Sequence, residues 1–314
     1  MNENHYDVIV IGAGPAGLTA GIYLARGKMK TLILNEGTVG GQMVLTHEIA
    51  NYPGIEKISG FQLSRTMRNQ ATAFGAVIKS NIKISKLSLN GEIKSVEINN
   101  KETFTAGVVI FATGGKSRNL SIPGEDEFKG KGISYCATCD GDFFQDKNII
   151  VVGGGNSALE EAVSLTKYAK SVTIVHQFDH FQAFDHAIEE AKNNPKISMM
   201  MESKLAEFIG TEKLEKVKIQ NQSSNEIVEK PIDGVFILIG YEPNTEKLKG
   251  IIALNARNEI VTNDKMETNI SGVYAAGDST AKQFRQITTA VADGTIAALS
   301  AIEYLNAQKI KDAA

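Results

Sequence analysis

Cys136 and Cys139 are the two cysteines of this 314-residue chain, and they stand three positions apart in the string Cys136-Ala137-Thr138-Cys139-Asp140. On one helical turn that spacing lets the sulfurs close a small disulfide, and in such motifs one thiol commonly ionises near neutral pH. Asp140 could carry a proton during thiol–disulfide interchange, or simply cap and charge the turn. Two bland readings compete. The pair could be half of a zinc site completed by His176 and His180, or two inert core thiols. The zinc reading needs two further ligands from a distant segment, and Ala-Thr-Cys-Asp is not an apolar core pattern. Redox chemistry is therefore favoured and no metal is expected.

A glycine turn lies on either side of the pair. Gly12-Ala13-Gly14-Pro15-Ala16-Gly17 follows an apolar strand pattern and opens a helix pattern. In such a turn the first glycine makes the bend and the second lets the backbone approach a pyrophosphate. The third allows close helix–strand packing, and the helix start offers its positive dipole end. Glu36 follows the next strand, where an acid takes ribose hydroxyls. Gly153-Gly154-Gly155-Asn156-Ser157-Ala158 repeats the turn with alanine as its last residue, which makes Gly153, Gly155, Asn156 and Ser157 candidates for a second nucleotide.

The elements that must position these residues also repeat. Residues 6–35 align without gaps on residues 147–176, each copy reading strand, glycine turn, amphipathic helix, strand. Leu18, Ile22 and Ala25 share one helix face. Val8-Ile9-Val10-Ile11 and Thr31-Leu32-Ile33-Leu34 are continuous apolar runs, as strands buried on both faces are. The expected fold is α/β, with two Rossmann-like nucleotide-binding domains of three-layer β/β/α type. The first copy has too little chain before residue 116 for a whole domain. The second domain (116–244) is thus expected as an insertion in the first (1–115 and 245–314). Strands are expected between Val77 and Phe104, at 107–111, 235–240 and 272–276, and a helix from about Thr288 to Leu305, with the tail from Ala307 frayed.

Bulk properties narrow the function classes. A net charge of −3 gives no polybasic footprint for nucleic acid. No apolar run approaches the ~20 residues that span a bilayer. The first residues lack a basic flank and an apolar h-region, so no signal peptide is expected and the compartment is expected to be the cytoplasm.

Several further strings carry a family resemblance. Gly40-Gly41-Gln42 is followed by Asn51-Tyr52-Pro53-Gly54, and Ala112-Thr113-Gly114 precedes the domain crossover. Ala276-Gly277-Asp278 is followed by Arg285-Gln286-Ile287 and a helix. With Cys-Ala-Thr-Cys-Asp ahead of the second glycine turn, the chain resembles the low-molecular-weight thioredoxin reductases, in order and over essentially its whole length. The resemblance implies FAD on the first glycine turn, Gly40, Gly41, Gln42, Asn51, Thr113 and Gly114. It implies that Gly277-Asp278 meets the ribityl and phosphate region and that Arg285, Gln286 and Ile287 lie along the flavin ring. It further implies that Cys139 is the sulfur nearer the flavin, that Asp140 is the acid–base, that thioredoxin is the partner, and that the protein is a homodimer. By residue chemistry alone, Gly277-Asp278 suits a polyol–phosphate or equally a plain turn with a capping aspartate.

The chain departs from that family at one place. The family's second strand ends His-Arg-Arg, with a later Arg-Ala, and those arginines hold the 2′-phosphate of NADPH. Here the segment reads His176-Gln177-Phe178-Asp179-His180-Phe181-Gln182-Ala183. Charge-assisted arginine–phosphate bonds are worth roughly 1.5–3 kcal/mol each, so NADPH is the least favoured donor. NADH could bind through Asp179 and Gln177, or the electrons could come from reduced ferredoxin, toward which the reading leans. Phe178, Phe181 and Phe184 with His180 and His186 could fill the nucleotide pocket, or be ordinary helix-face residues. The favoured function is flavin-dependent reduction of a thioredoxin disulfide through Cys136 and Cys139. Its rivals are a NAD(P)H-dependent thioredoxin reductase, a flavin ferredoxin–nicotinamide oxidoreductase, which would not need the cysteines, and a flavin redox sensor without turnover.

Overall fold

Val8 and Val10 pack into one core and Ile9 and Ile11 into another, which is why their run shows no polar alternation. The computed structural model describes residues 4–46 and 48–312, and the chain forms two compact units, residues 1–116 with 242–314, and residues 117–241.

The first unit is built on a seven-stranded sheet. Strands Val77–Ser80, Thr31–Asn35, His5–Ile11 and Glu102–Phe111 lie side by side in parallel. The far edge of Glu102–Phe111 is shared. Its first half pairs antiparallel with Lys94–Ile98, and its last residues pair in parallel with Val273–Ala275. Helices Pro15–Arg26, Gly60–Ala73 and Ile287–Asp312 contribute to the core on one face, with Leu18, Leu24, Leu63 and Ala297 buried against Val8, Val10 and Ile110. The other face buries Val96, Phe104 and Ile260 against Ile9, Ile11 and Phe111.

The second unit has a five-stranded parallel sheet in the order Ile197–Met200, Ser171–Val175, Asn148–Val152, Gly234–Ile237, Ile133–Ser134. Helices Asn156–Leu165 and Asp185–Asn193 pack on one face. A three-stranded antiparallel sheet, Ser203–Gly210, Leu214–Asn221 and Ile227–Pro231, contributes Leu205, Phe208 and Val217 to the core on the other. The sequence repeat is a structural repeat: Val8 pairs with Thr31 as Ile149 pairs with Val172, at equivalent positions of the two copies.

One expectation is corrected. The last helix does not fray after residue 306 but continues through Asp312. Its final stretch, Ala-Gln-Lys-Ile-Lys, is made of good helix formers, and Lys309 and Lys311 in the last turn complement the negative end of the helix dipole. Among the described residues no helix is long and apolar enough to cross a membrane.

Candidate active site

In the first unit the glycine turn closes the end of the central strand against its neighbour. Gly12 adopts φ +110°, and a Cβ there would sit 2.1 Å from the Ala112 carbonyl oxygen. A Cβ on Gly17 would fall 1.9 Å from the Gly12 carbonyl oxygen, so only glycine lets helix Pro15–Arg26 start this close to the strand. Gly14 is the N-cap, Pro15 opens the helix, and no side chain caps its first amides. Gly17→Ala should strain the turn by on the order of 1–3 kcal/mol, lowering the flavin-to-protein absorbance ratio of the purified protein.

Other segments meet this turn. The Gly40 amide donates to the Ala13 carbonyl over 2.7 Å, and a Cβ on Gly41 would stand 3.2 Å from the Gly14 Cα. Gln42 follows on the short helix Gly41–Leu45. A Cβ on Gly277 would lie 2.8 Å from the Ala16 methyl, which brings the later Gly-Asp pair to the first turn. Arg285 reaches back to the Asp278 carbonyl at 3.4 Å and pairs with the buried Glu259. Gln286 accepts from the Asn51 amide at 3.3 Å, and Ile287 begins the last helix. Thr113 and Gly114 continue the Glu102–Phe111 strand, so the candidates sit at the carboxyl ends of adjacent parallel strands, where such folds bind ligands. Glu36 is half-exposed and accepts from the Ile84 amide at 2.8 Å and from Lys247.

The residues present fit a flavin dinucleotide. Thr113 Oγ1 and Asp278 Oδ1 are buried and have no hydrogen-bond partner, a costly arrangement unless a ligand satisfies them. Burial pushes the Asp278 carboxyl above the usual range, while Lys282 and Arg285 pull it down. A polyol hydroxyl beside it can donate to that oxygen. The helix start and the Gly14–Gly41 approach leave backbone groups open to a pyrophosphate.

In the second unit Cys136 and Cys139 are joined as a disulfide, their Cα atoms 5.3 Å apart, with Cys136 the N-cap of the single turn Ala137–Asp140 that carries Cys139. The His176 Nε2 atom lies 3.1 Å from the His180 carbonyl. Sequence reasoning missed two partners of the motif. Ser134 donates to Asp140 Oδ2 at 2.6 Å and accepts from the Cys136 amide at 3.1 Å. Glu161 accepts from the Ala137 amide at 3.0 Å. Burial raises the Asp140 carboxyl, the Ser134 bond opposes this, and Asp142 adds to it. A carboxyl raised in this way suits proton exchange beside a disulfide.

The second glycine turn is partly covered by its own chain. Gly153 and Gly155 precede helix Asn156–Leu165, on which Ser157 is exposed. Gly154 faces the His176 ring, which a Cβ would meet at 2.3 Å. Gln182 donates to the Gly154 carbonyl at 2.8 Å, and Asn156 is engaged by the Phe184 amide at 2.7 Å. His176 stacks on Phe181 at 5.6 Å and meets Phe178 edge-on at 5.3 Å. Phe181 and Phe178 thus pack on a buried histidine beside the turn, whereas Phe184 is 64% exposed and stacks on His186 at the next helix start. Burial lowers the His176 pKa and favours the neutral ring. Asp179 and His180 pair with each other in solvent.

A family profile described as "Pyridine nucleotide-disulphide oxidoreductase" matches residues 6–294. The chain belongs to that family. Within it, the chain is 45% identical over 312 residues to a protein named thioredoxin reductase from Peptoclostridium acidaminophilum, covering 97% of this chain and 98% of that one. The thioredoxin reductase from Streptococcus pyogenes superposes with a TM-score of 0.93 at 39% identity, covering 98% of this chain and all of that one. A ferredoxin-flavin thioredoxin reductase from Clostridium acetobutylicum matches at 31% identity with a TM-score of 0.52, covering 96% and 99% of the two chains. Like these low-molecular-weight relatives, this pyridine nucleotide-disulphide oxidoreductase is a two-domain α/β flavoprotein.

Proposed function

We propose that this oxidoreductase holds FAD in its first unit and reduces the disulfide of a thioredoxin through Cys136 and Cys139, taking its electrons from reduced ferredoxin. The observation that carries the donor reading is the chemistry of the nucleotide-specificity segment. From residue 171 to residue 191 there is no lysine or arginine, and Asp179 stands exposed within it. Glu202 hydrogen-bonds to the Phe178 carbonyl through its own amide, which brings a second acid to the strand end. A 2′-phosphate placed there would meet the negative charge of Asp179 and Glu202, with no lysine or arginine from residues 171–191 to offset it.

The first-unit residues divide the cofactor's binding. Gly14 and Gly41, with the helix start that Pro15 opens, would hold the pyrophosphate, Glu36 the ribose, and Asp278 with Thr113 the polyol. Arg285 and Gln286, held by Glu259 and Asn51, would border the ring. FAD supplies a carrier that accepts electrons singly or in pairs. In the second unit, Asp140 exchanges a proton with the cysteine turn while Ser134 orients its carboxyl. Thiol exchange with the partner requires one cysteine as an accessible thiolate. The pair is partly exposed, as that attack demands. The protein is expected to act as a homodimer.

Anaerobic titration of the oxidised protein, followed by flavin absorbance, tests the donor. Reduced ferredoxin should bleach the flavin rapidly, while NADPH and NADH leave it oxidised on the same timescale. Rapid bleaching by NADPH would overturn the donor reading, and bleaching by NADH alone would move it to Asp179 and Gln177.

A further inference from the structure

Cys136 immediately precedes the turn Ala137–Asp140, and no side chain within that turn caps its amides. Free amides at a helix start stabilise a thiolate, and with it the reduced form of a dithiol pair. Here the first of them is occupied. The Ala137 amide donates to Glu161 Oε2 at 3.0 Å, from the middle of helix Asn156–Leu165. Lys129 sits over the ring of Tyr135, the residue before the pair, while the charged side chains on the turn and on the two helical elements packed closest to it are acids. They are Asp140 on the turn itself, Asp142 on Gly141–Phe144, and Glu160 with Glu161 on the helix. The preceding strand, Ile133–Ser134, adds only the Ser134 hydroxyl, which is given to Asp140.

We propose that Glu161 is a positioning residue for the disulfide chemistry, anchoring the cysteine turn through the Ala137 amide and keeping the Cys136–Cys139 couple strongly reducing. Reduction of the pair adds two electrons, breaks the S–S bond and leaves two thiols, or one thiol and one thiolate when a single proton is taken up. A carboxylate on the adjoining amide opposes negative charge on sulfur, both by its own charge and by withholding that N–H. The oxidised form gains relative to the reduced one, and the reduced pair gives up its electrons more readily. Burial raises the Glu161 carboxyl, the bond from the Ala137 amide opposes this, and the neighbouring Glu160 adds to it. The inference rests on the reading of Cys136 and Cys139 as a redox pair, and on neither the donor nor the partner.

The test compares wild-type holoprotein with Glu161→Gln in dithiothreitol buffers, where disulfide and reduced dithiothreitol exchange with dithiol and cyclic oxidised dithiothreitol. Alkylation and mass spectrometry count the thiols at equilibrium. Glutamine keeps an oxygen for the Ala137 amide and removes only the charge. The expected result is a shift toward the dithiol of about tenfold, which is about 30 mV for a two-electron couple, with faster iodoacetamide alkylation of Cys136 near neutral pH. An equilibrium within twofold of wild type would overturn the proposal and leave Glu161 as a structural cap. If the shift appears but wild-type protein fails to turn over thioredoxin, the functional reading falls and this inference stands. Normal turnover with an unmoved equilibrium gives the reverse.

Discussion

Serine in place of Cys139 will abolish thioredoxin reduction and leave the flavin bound. The loss should be on the order of 10³-fold or more, because the one cysteine left, Cys136, has no second thiol in the chain with which to re-form the electron-accepting disulfide. Cys136→Ser should do the same. Retention of flavin follows from where the two chemistries sit. The cradle around Gly12, Gly41 and Asp278 belongs to a unit whose cores, around Leu18 and around Phe104, share no residue with the cores around Leu159 and Phe208 beside the cysteines. The fold itself survives. A disulfide closing so short a loop constrains the unfolded chain by only about 2 kcal/mol. Turnover is read with reduced ferredoxin and a thioredoxin, and flavin content by absorbance. Full activity in Cys139→Ser would refute the assignment of the pair, and a colourless variant would show the two units to be coupled in stability.

Much of this architecture was legible in residue patterns. Runs such as Val8-Ile9-Val10-Ile11 are buried on both faces of a parallel sheet, so apolar continuity plus a glycine turn identifies them without tertiary knowledge. The two-copy repeat even carried the register of the first two strands in each unit. The antiparallel sheet of the second unit was not visible, and a bulge is the reason. In Ser203–Gly210 the register shifts between Leu205 and Glu207, so buried Leu205 and Phe208 fall three apart and break the period of two. Ser134 and Glu161 escaped for a different reason. Each acts through a hydrogen bond that only the packing of the cysteine turn creates, one from the strand before it and one from a helix 24 residues on. No motif contains either. Glu36 shows the converse: its position was readable, but its engagement with Ile84 and Lys247 was not.

Returning arginine to the specificity segment should create NADPH binding. In the double variant Gln177→Arg/Phe178→Arg, two charge-assisted bonds of roughly 1.5–3 kcal/mol each would tighten NADPH by about 10²–10⁴-fold. NADH, lacking the phosphate, should change little. The backbone is suited to carry them. The Gln177 and Phe178 carbonyls are tied to Gln222 and Glu202, so side chains grafted there project from a fixed strand end. Phe178 is 39% exposed, and its loss costs an edge contact with His176 and a stack on His180, while the Phe181 stack on His176 remains. Glu202 and Asp179 would pair in part with the new guanidinium groups, which places the gain toward the lower end of the range. Calorimetric titration with both nucleotides measures the gain and its selectivity, and anaerobic bleaching shows whether bound NADPH can deliver electrons. Tightening without bleaching would mean that the site binds but does not present the nicotinamide to the flavin. Equal, weak binding of both nucleotides would locate the obstacle at the turn itself, where Gln182 is bonded to the Gly154 carbonyl and His176 packs against the glycine. In that case restoring charge alone cannot open the pyrophosphate site.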